Sequence, residues 1–355
     1  MSFMPLWCDP LGLALGVALD QLVADPQSPA HPVALFGRAA GRLEGVLYAD
    51  RRSRGVVHVA VCVGGAAALG VLAAQVGPKG RVRTAVSHPV QVTAAQRVAG
   101  GGARTTVART AMGRPVKGTV ARTAVTAIAT WAVLGGTTLA REGAYMADAL
   151  ERDDLARARA RLPHLCGRDP ALLEAPELAR ATVESLAENT SDAVVAPLFW
   201  GAVAGVPGLL AYRAINTLDA MIGHHSPRYE RFGWAAARLD DVANYVPARV
   251  TGVLAALTGP APRRALSVLR RDGHRHPSPN AGRCEAAFAG ALGVTLGGTN
   301  VYGGRVEHRP TMGDGPKPEV KDIRRAVRLT RAVSLAAAGA AVLTAWALRR
   351  AIARY

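Results

Sequence analysis

Aromatic residues make up only 5% of the 355-residue chain, although half of it is hydrophobic. The apolar content is therefore mainly Ala, Val, Leu and Gly, a mixture that suits helices packed closely through small residues, as in membranes. Cysteine is equally sparse. Cys8, Cys62, Cys166 and Cys284 have no paired spacing, which argues against a zinc or dithiol motif and leaves them as small core residues. Acid is short as well: 26 Asp and Glu stand against 43 Lys and Arg, a formal charge of +17. That excess suits nucleic acid or anionic lipid. The interleaved basic and aromatic residues that stack bases are missing, so no nucleic-acid partner is expected, and the apolar runs decide for membrane lipid. A P-loop is absent, so any ATP site must be of another kind. The N-terminus lacks a basic leader and carries Asp9 and Asp20 in its apolar stretch, so it reads as retained and not as a signal peptide.

Against these absences stand several long apolar runs. Residues 56–76 contain no Asp, Glu, Lys or Arg and are long enough to cross a hydrocarbon core, which takes about 20 residues. A second span is expected at 119–140, a short or tilted one at 11–24, and a last apolar helix at 333–348, ending in Arg349, Arg350 and Arg354. The run 193–215 holds Pro197, Gly201, Gly205 and Pro207, which predicts a broken or re-entrant helix. Between the spans, 77–118 is basic with no acid and reads as a flexible loop, an insertion in the scaffold. Residues 141–187 are charged and helical, a soluble helical hairpin. After Gly303-Gly304 a polar Gly/Pro loop is expected to Pro318. The expected fold is all-α: one polytopic integral membrane domain over 1–355, with short or broken helices.

The chemistry concentrates in 181–251. Glu184 and Glu188 are four residues apart and share a helical face, and Asp192 would follow one turn on if the helix continued. Asn189, Thr190, Ser191 and Asp192 all favour caps, so a helix is expected to end there and a second to begin. Arg213, Asn216 and Asp219 are spaced three apart on one face. Further on, Asp240 and Asn244 share a face, while Arg238, Asp241 and Tyr245 share the adjacent one. Salt-bridged helix ends explain any one of these clusters. Three together, built of Asn and Asp instead of Lys and Glu, point to a site for a divalent cation and a polyanion.

These stretches resemble the adenosylcobinamide-phosphate synthase (CobD/CbiB) family of cobalamin biosynthesis. The resemblance is carried by the run from Glu184 to Asp192, by Arg213-Ala214-Ile215-Asn216-Thr217-Leu218-Asp219, and by Arg238-Leu239-Asp240-Asp241. It extends to His276-Pro277-Ser278-Pro279-Asn280-Ala281-Gly282, to Glu285 and Gly290-Ala291-Leu292-Gly293, and to His31-Pro32-Val33 with Gly37. Arg168-Asp169 also fits. Several long motifs in order make the match specific.

The resemblance implies ATP-dependent amide formation between adenosylcobyric acid and aminopropanol or aminopropanol phosphate, giving adenosylcobinamide or its phosphate. Mg²⁺ and ATP are the implied cofactor and co-substrate. Asp192, Asp240 and Asp241 are the expected metal ligands, and Glu184 or Glu188 the expected base. Arg213, Arg238 and Arg249 would hold phosphates. Asn189, Asn216, Asp219, Asn244, Ser278 and Asn280 would orient the corrinoid substrate, with His31 and His276 as further binding candidates. The expected setting is the cell membrane, with the acidic motifs facing the cytoplasm, and other enzymes of the pathway as contacts. A non-catalytic membrane regulator related to the family is the alternative, and a transporter the third reading, since intramembrane Asp residues such as Asp20 also mark ion paths.

Overall fold

A computed structural model describes residues 9–24, 28–75, 115–224, 226–302, 305–352 and 354. The described residues are helical almost throughout, and among them four stretches are long and apolar enough to cross a membrane: Arg52–Ala74, Gly118–Glu151, Ala175–Gly223 and Val320–Ile352. It is an all-α polytopic membrane protein with one small appendage of sheet.

α1 (Pro10–Val23) and α4 (Pro115–Val133) pack tightly side by side. Gly12 and Gly16 make this approach possible, because a Cβ on either would collide with Thr126 or Thr130 of α4. The spacing of three residues between two glycines is the small-residue pattern by which membrane helices meet. α2 (Pro32–Leu47) leads to α3 (Arg52–Ala74), which packs along α8 (Ala196–Leu218). Near the start of α3, Gly55 lies directly against the Phe232 carbonyl, and near its end Gly70 lies against Pro207.

The expected span at 119–140 falls within the apolar stretch Gly118–Glu151, with a break inside it. α4 stops at Val133 and α5 (Gly136–Glu151) follows after a break, with Gly135 N–H donating to Ala193 O at 3.1 Å. α6 (Leu155–Arg161) and α7 (Ala175–Thr190) complete the 141–187 stretch. Their apolar faces enter the same core as the membrane helices, through Met146, Leu162, Leu178 and Leu186. The basic stretch lies outside the described residues from 77 to 114, while 115–118 already belong to α4.

The helix expected to end at Asn189–Asp192 does not end. α7 continues through a π-type turn at Ser191–Val195 straight into α8. The cap-forming side chains are engaged sideways: Asn189 donates to Leu165 O, and Thr190 donates to Leu186 O and meets Thr330. The break comes later, at Gly205 (φ 63°, ψ −149°), a backbone region open to glycine alone at little cost. There the chain reverses. On a straight helix Asp192 and Asn216 would be about 36 Å apart at 1.5 Å per residue, yet their side chains are 3.4 Å apart. Gly208 lies against Trp200 and Gly201 against Leu209, as an antiparallel helical hairpin requires. Of the two forms expected for 193–215, this is the re-entrant one.

A second π-type turn at Asp219–Gly223 leads towards α9 (Trp234–Ala243), followed by α10 (Tyr245–Thr258), α11 (Pro262–Asp272) and α12 (Ala281–Leu292). The segment after α12 runs into the stretch expected as a polar Gly/Pro loop to Pro318, and it is not a loop. It is an antiparallel β-hairpin, β1 (Leu296–Tyr302) with β2 (Arg305–Met312), irregular at Leu296/Gly298. α13 (Val320–Ile352) closes the fold, packing on α5, α7 and α10.

Candidate functional site

Four parts of the chain converge on one small cleft: the α7–α8 turn, α9, the loop before α12, and α12 itself. Its walls carry Glu188, Ser191, Asp192, Asp240, Asn244, Ser278, Asn280 and Cys284. The reversal at Gly205 brings the return limb of α8 back to the same place, so that Asn216 donates to Asp192 and Tyr212 donates to Asn244 Oδ1 at 2.8 Å. Asn244 in turn donates to Asp240 Oδ2 at 2.9 Å. Six of the residues expected from sequence are thus in the walls, and Asn216 supports them from behind.

The cleft is oxygen-rich. Asp240 Oδ1, Ser191 Oγ and Asn280 Oδ1 are buried without a hydrogen-bond partner, and oxygens left in that state ordinarily cost stability. The space admits the centre of a water-sized sphere over about 30 Å³, enough for a water or an ion and far too little for a nucleotide or a corrin. Burial, and after it the charge of Asp219, pushes the Asp240 carboxyl up to about 7, against the pull of Asn244. Removal from water and mutual repulsion both favour a proton or a cation here.

Among the described residues no three His, Cys, Asp or Glu side chains stand close enough to form a ready-made metal shell. Mg²⁺ rarely needs one, because it keeps several waters and uses one or two carboxylates. Asp192 and Asp240, with the unpaired oxygens of Ser191 and Asn280, fit that requirement. Asp241 sits at the rim, its side chain 32% exposed and 3.7 Å from Arg238, which is itself 68% exposed.

Other expected residues lie apart. His31 caps α2, its Nδ1 accepting from Val33 N–H, and meets Trp131 edge-on. Arg249 lies over the Tyr245 ring and donates to the Tyr245 carbonyl. Asn189 points to Leu165, away from the cleft. Arg213 lies on the return limb of α8 with Asn216, and Asp219 follows in the next turn.

Glu184 is buried in a cage. Arg168 and Arg180 both pair with it, and the Gly297 N–H donates to its Oε1 at 2.7 Å. Arg180 also donates to Gly297 O (2.7 Å), Asn300 Oδ1 (2.9 Å) and Thr299 O (2.8 Å). From the other strand Arg309 reaches His276 Nε2 at 2.6 Å, while Ser278 N–H lies 3.0 Å from His276 Nδ1. A neutral imidazole has one lone pair, so only one of these two donors can be accepted at a time. The ring is neutral: burial, and then Arg309, lowers His276 to about 4. Behind it Glu285 is pushed well up by burial and by the charges of Glu184 and Glu188.

Sequence reasoning did not select Arg180, Arg309, Ser191 or Cys284. The four-residue spacing of Arg180 and Glu184 was a usable signal; nothing local announces Arg309, which meets His276 from 33 residues away in the chain.

The family described as CobD/Cbib protein matches residues 13–330. The cobalamin biosynthesis protein CobD of Mycobacterium tuberculosis is 52% identical over 337 residues, 94% of each chain. That of Rhodobacter capsulatus is 50% identical over 205 residues, covering 58% of this chain and 65% of its own. That of Pelobacter propionicus is 36% identical over 349 residues, 96% of this chain and 97% of its own. No solved structure matches.

Proposed function

Because the chain belongs to the CobD/CbiB family of cobalamin biosynthesis, we propose that it is the enzyme joining adenosylcobyric acid to aminopropanol or aminopropanol phosphate, at the expense of ATP. The observation that carries this reading is the cleft in which Glu188, Asp192 and Asp240 meet Ser278 and Asn280. An amide forms from a carboxylate only after the carboxylate is made electrophilic. The balanced route has two steps. The substrate carboxylate attacks the γ-phosphorus of ATP, releasing ADP and leaving an acyl phosphate; the amine nitrogen then attacks the acyl carbon and phosphate departs.

Glu188 is the base in this scheme. The oxygens of Glu184 are already taken by two guanidiniums and a backbone N–H, whereas Glu188 faces the cleft and can accept the proton of the incoming ammonium. Asp192 and Asp240 would hold Mg²⁺, with the Ser191 and Asn280 oxygens available beside them and Asp241 orienting Arg238 at the rim; when bound, the ion would supply charge neutralisation for phosphoryl transfer. Arg213 and Arg238 hold phosphate oxygens. Ser278 and Asn280 steer the propionamide-bearing edge of the corrinoid. Since the cleft has room for no more than an ion or a water, the nucleotide, the corrin and their reacting groups meet at its mouth.

The protein resides in the cell membrane with this mouth towards the cytoplasm, where ATP is. Other pathway enzymes are its further contacts. Purified protein given ATP, Mg²⁺, adenosylcobyric acid and each amine in turn should release ADP and form the amide with one of them. No ADP release with either amine would reject the enzyme and favour the regulator. For sidedness, a cysteine at Leu172, which is 89% exposed, in a background without native cysteines should react with impermeant maleimide in inverted vesicles only. Reaction in intact spheroplasts would reverse the orientation.

A further inference from the structure

Among the described residues the β-hairpin is the one piece of sheet, and charged groups seat both its strands. On β1, the backbone of Gly297 uses its N–H to Glu184 and its carbonyl to Arg180, and Arg180 extends to Thr299 and Asn300. On β2, Arg309 reaches His276. From His276 the contacts run on to the cleft. Ser278 follows two residues on in the same loop, where its Oγ accepts from Asn280 N–H at 3.3 Å, and Asn280 Nδ2 donates to Asp241 O at 2.8 Å. Glu184 itself is 3% exposed and does not line the cleft.

We propose that Glu184 is a positioning residue: its buried carboxylate, held by Arg168 and Arg180, clamps the hairpin to α7 and so fixes the His276–Asn280 loop that forms one wall of the cleft. Glu184 and Glu188, one helical turn apart and chemically identical, then divide the work, the first holding a wall and the second facing substrate. A carboxylate is suited to the clamp because it can accept from both guanidiniums and from a backbone N–H at once. Removing its charge leaves two buried guanidiniums facing each other, and the hairpin loses the centre of its anchorage. The proposal rests on the amide-forming reading only for its kinetic consequence.

The test is hydrogen exchange by mass spectrometry on the full-length protein in lipid nanodiscs, alongside steady-state kinetics. In Glu184→Gln, amides in 296–312 and 276–282 should exchange at least about tenfold faster than in the native protein, while those of α3 and of the α1–α4 pair do not change. Glu188→Gln should leave the hairpin protected. In the kinetics, Glu184→Gln should raise KM for the corrinoid about tenfold or more, keep most of kcat, and retain the acidic limb of the pH profile. Arg180→Lys keeps a positive charge beside Glu184 but cannot span the three hairpin acceptors; it should loosen the same segments even if Glu184→Gln fails to accumulate. Native protection of the hairpin in both variants would overturn the clamp. So would loss of kcat and of the acidic limb in Glu184→Gln with the hairpin still protected, which would place Glu184 in the chemistry. If the native protein forms no amide at all, the exchange results still decide the clamp.

Discussion

Two concave features of the molecule invite comparison. A groove between α1 and α4, lined by Leu15, Ala18, Leu19, Leu22, Ala124, Ala127 and Ile128, offers about 390 Å³ and presents no polar surface. The cleft between α7, α9 and α12 offers about 30 Å³ and is walled by carboxylates, carboxamides and hydroxyls. The larger feature has nothing with which to orient a ligand, and on a membrane helix pair hydrocarbon chains fill such a surface without specificity. The smaller one concentrates oxygens that water would otherwise solvate. Size and chemistry point in opposite directions here, and chemistry decides, because recognition depends on a few convergent polar groups.

The sharpest way to break this comparison is to neutralise the cleft. Asp192→Asn and Asp240→Asn should each lower amide formation by roughly three orders of magnitude, the scale of losing one preorganised electrostatic partner. Membrane insertion should be unaffected. Asp241→Asn, at the rim, should lose only about tenfold, as for a residue acting through its neighbours. Equal and small losses in all three, measured at limiting Mg²⁺, would remove the cleft from the chemistry.

Glu188→Gln should come next, with kcat down roughly a hundredfold or more and KM little changed, as expected for removal of a general base. Its pH–rate profile should lose the acidic limb. A profile that keeps that limb would assign the base elsewhere.

A third effect follows from acidity. Folded His276 binds its proton only near pH 4, against about 6.5 in an unfolded chain. Between those values the unfolded chain binds more protons, so stability is full above about pH 6.5 and falls as the pH is lowered towards 4. From pH 6.5 to 5 the loss attributable to His276 is at most about 2 kcal/mol. It should show as a lower thermal midpoint in the native protein than in His276→Gln when each is referred to its value at pH 7. Parallel curves for the two would remove His276 from the acid response.

The smallest effect belongs to the groove. Leu19→Ala or Ile128→Ala should change stability by about 1 kcal/mol or less and turnover by less than about twofold. A large loss of turnover would show that the groove takes part in function after all.

Much of this layout was legible from residues alone. The charge-free run in α3 needed only its length, and the placing of Glu184 and Glu188 on one helix four residues apart needed only helical spacing. The reversal within 193–215 was legible as an alternative, since Gly205 and Pro207 advertise a break, but whether the two limbs would face each other depended on packing against α3. The continuity of α7 into α8 was misread because cap preference assumes that side chains turn to their own backbone; Asn189 and Thr190 instead found Leu165 and Thr330. The hairpin was missed because Gly297 and Gly298 weaken any local strand signal. Its anchors, Arg180 and Glu184, lie more than a hundred residues earlier. In the site, residue types were readable, but the separation of a caged Glu184 from an open Glu188 was not.

The turn at Gly205 gives the cleft a remote reference point. Pro207 rests on Gly70, 15 residues along α3 from the Gly55–Phe232 contact near the α9 end, a distance of about 22 Å at 1.5 Å per residue. From that turn two limbs run back, one ending in Asp192 and the other in Asn216 and Asp219. Their register is therefore a ruler laid across the apolar layer. A slip of one residue between the limbs is about 1.5 Å, enough to part Asn216 from Asp192, whose atoms already sit at 3.4 Å. The turn itself is buried, with Val206 2% and Leu209 0% exposed, so the alignment of the acidic wall is set by how closely protein packs around a turn that the wall never touches.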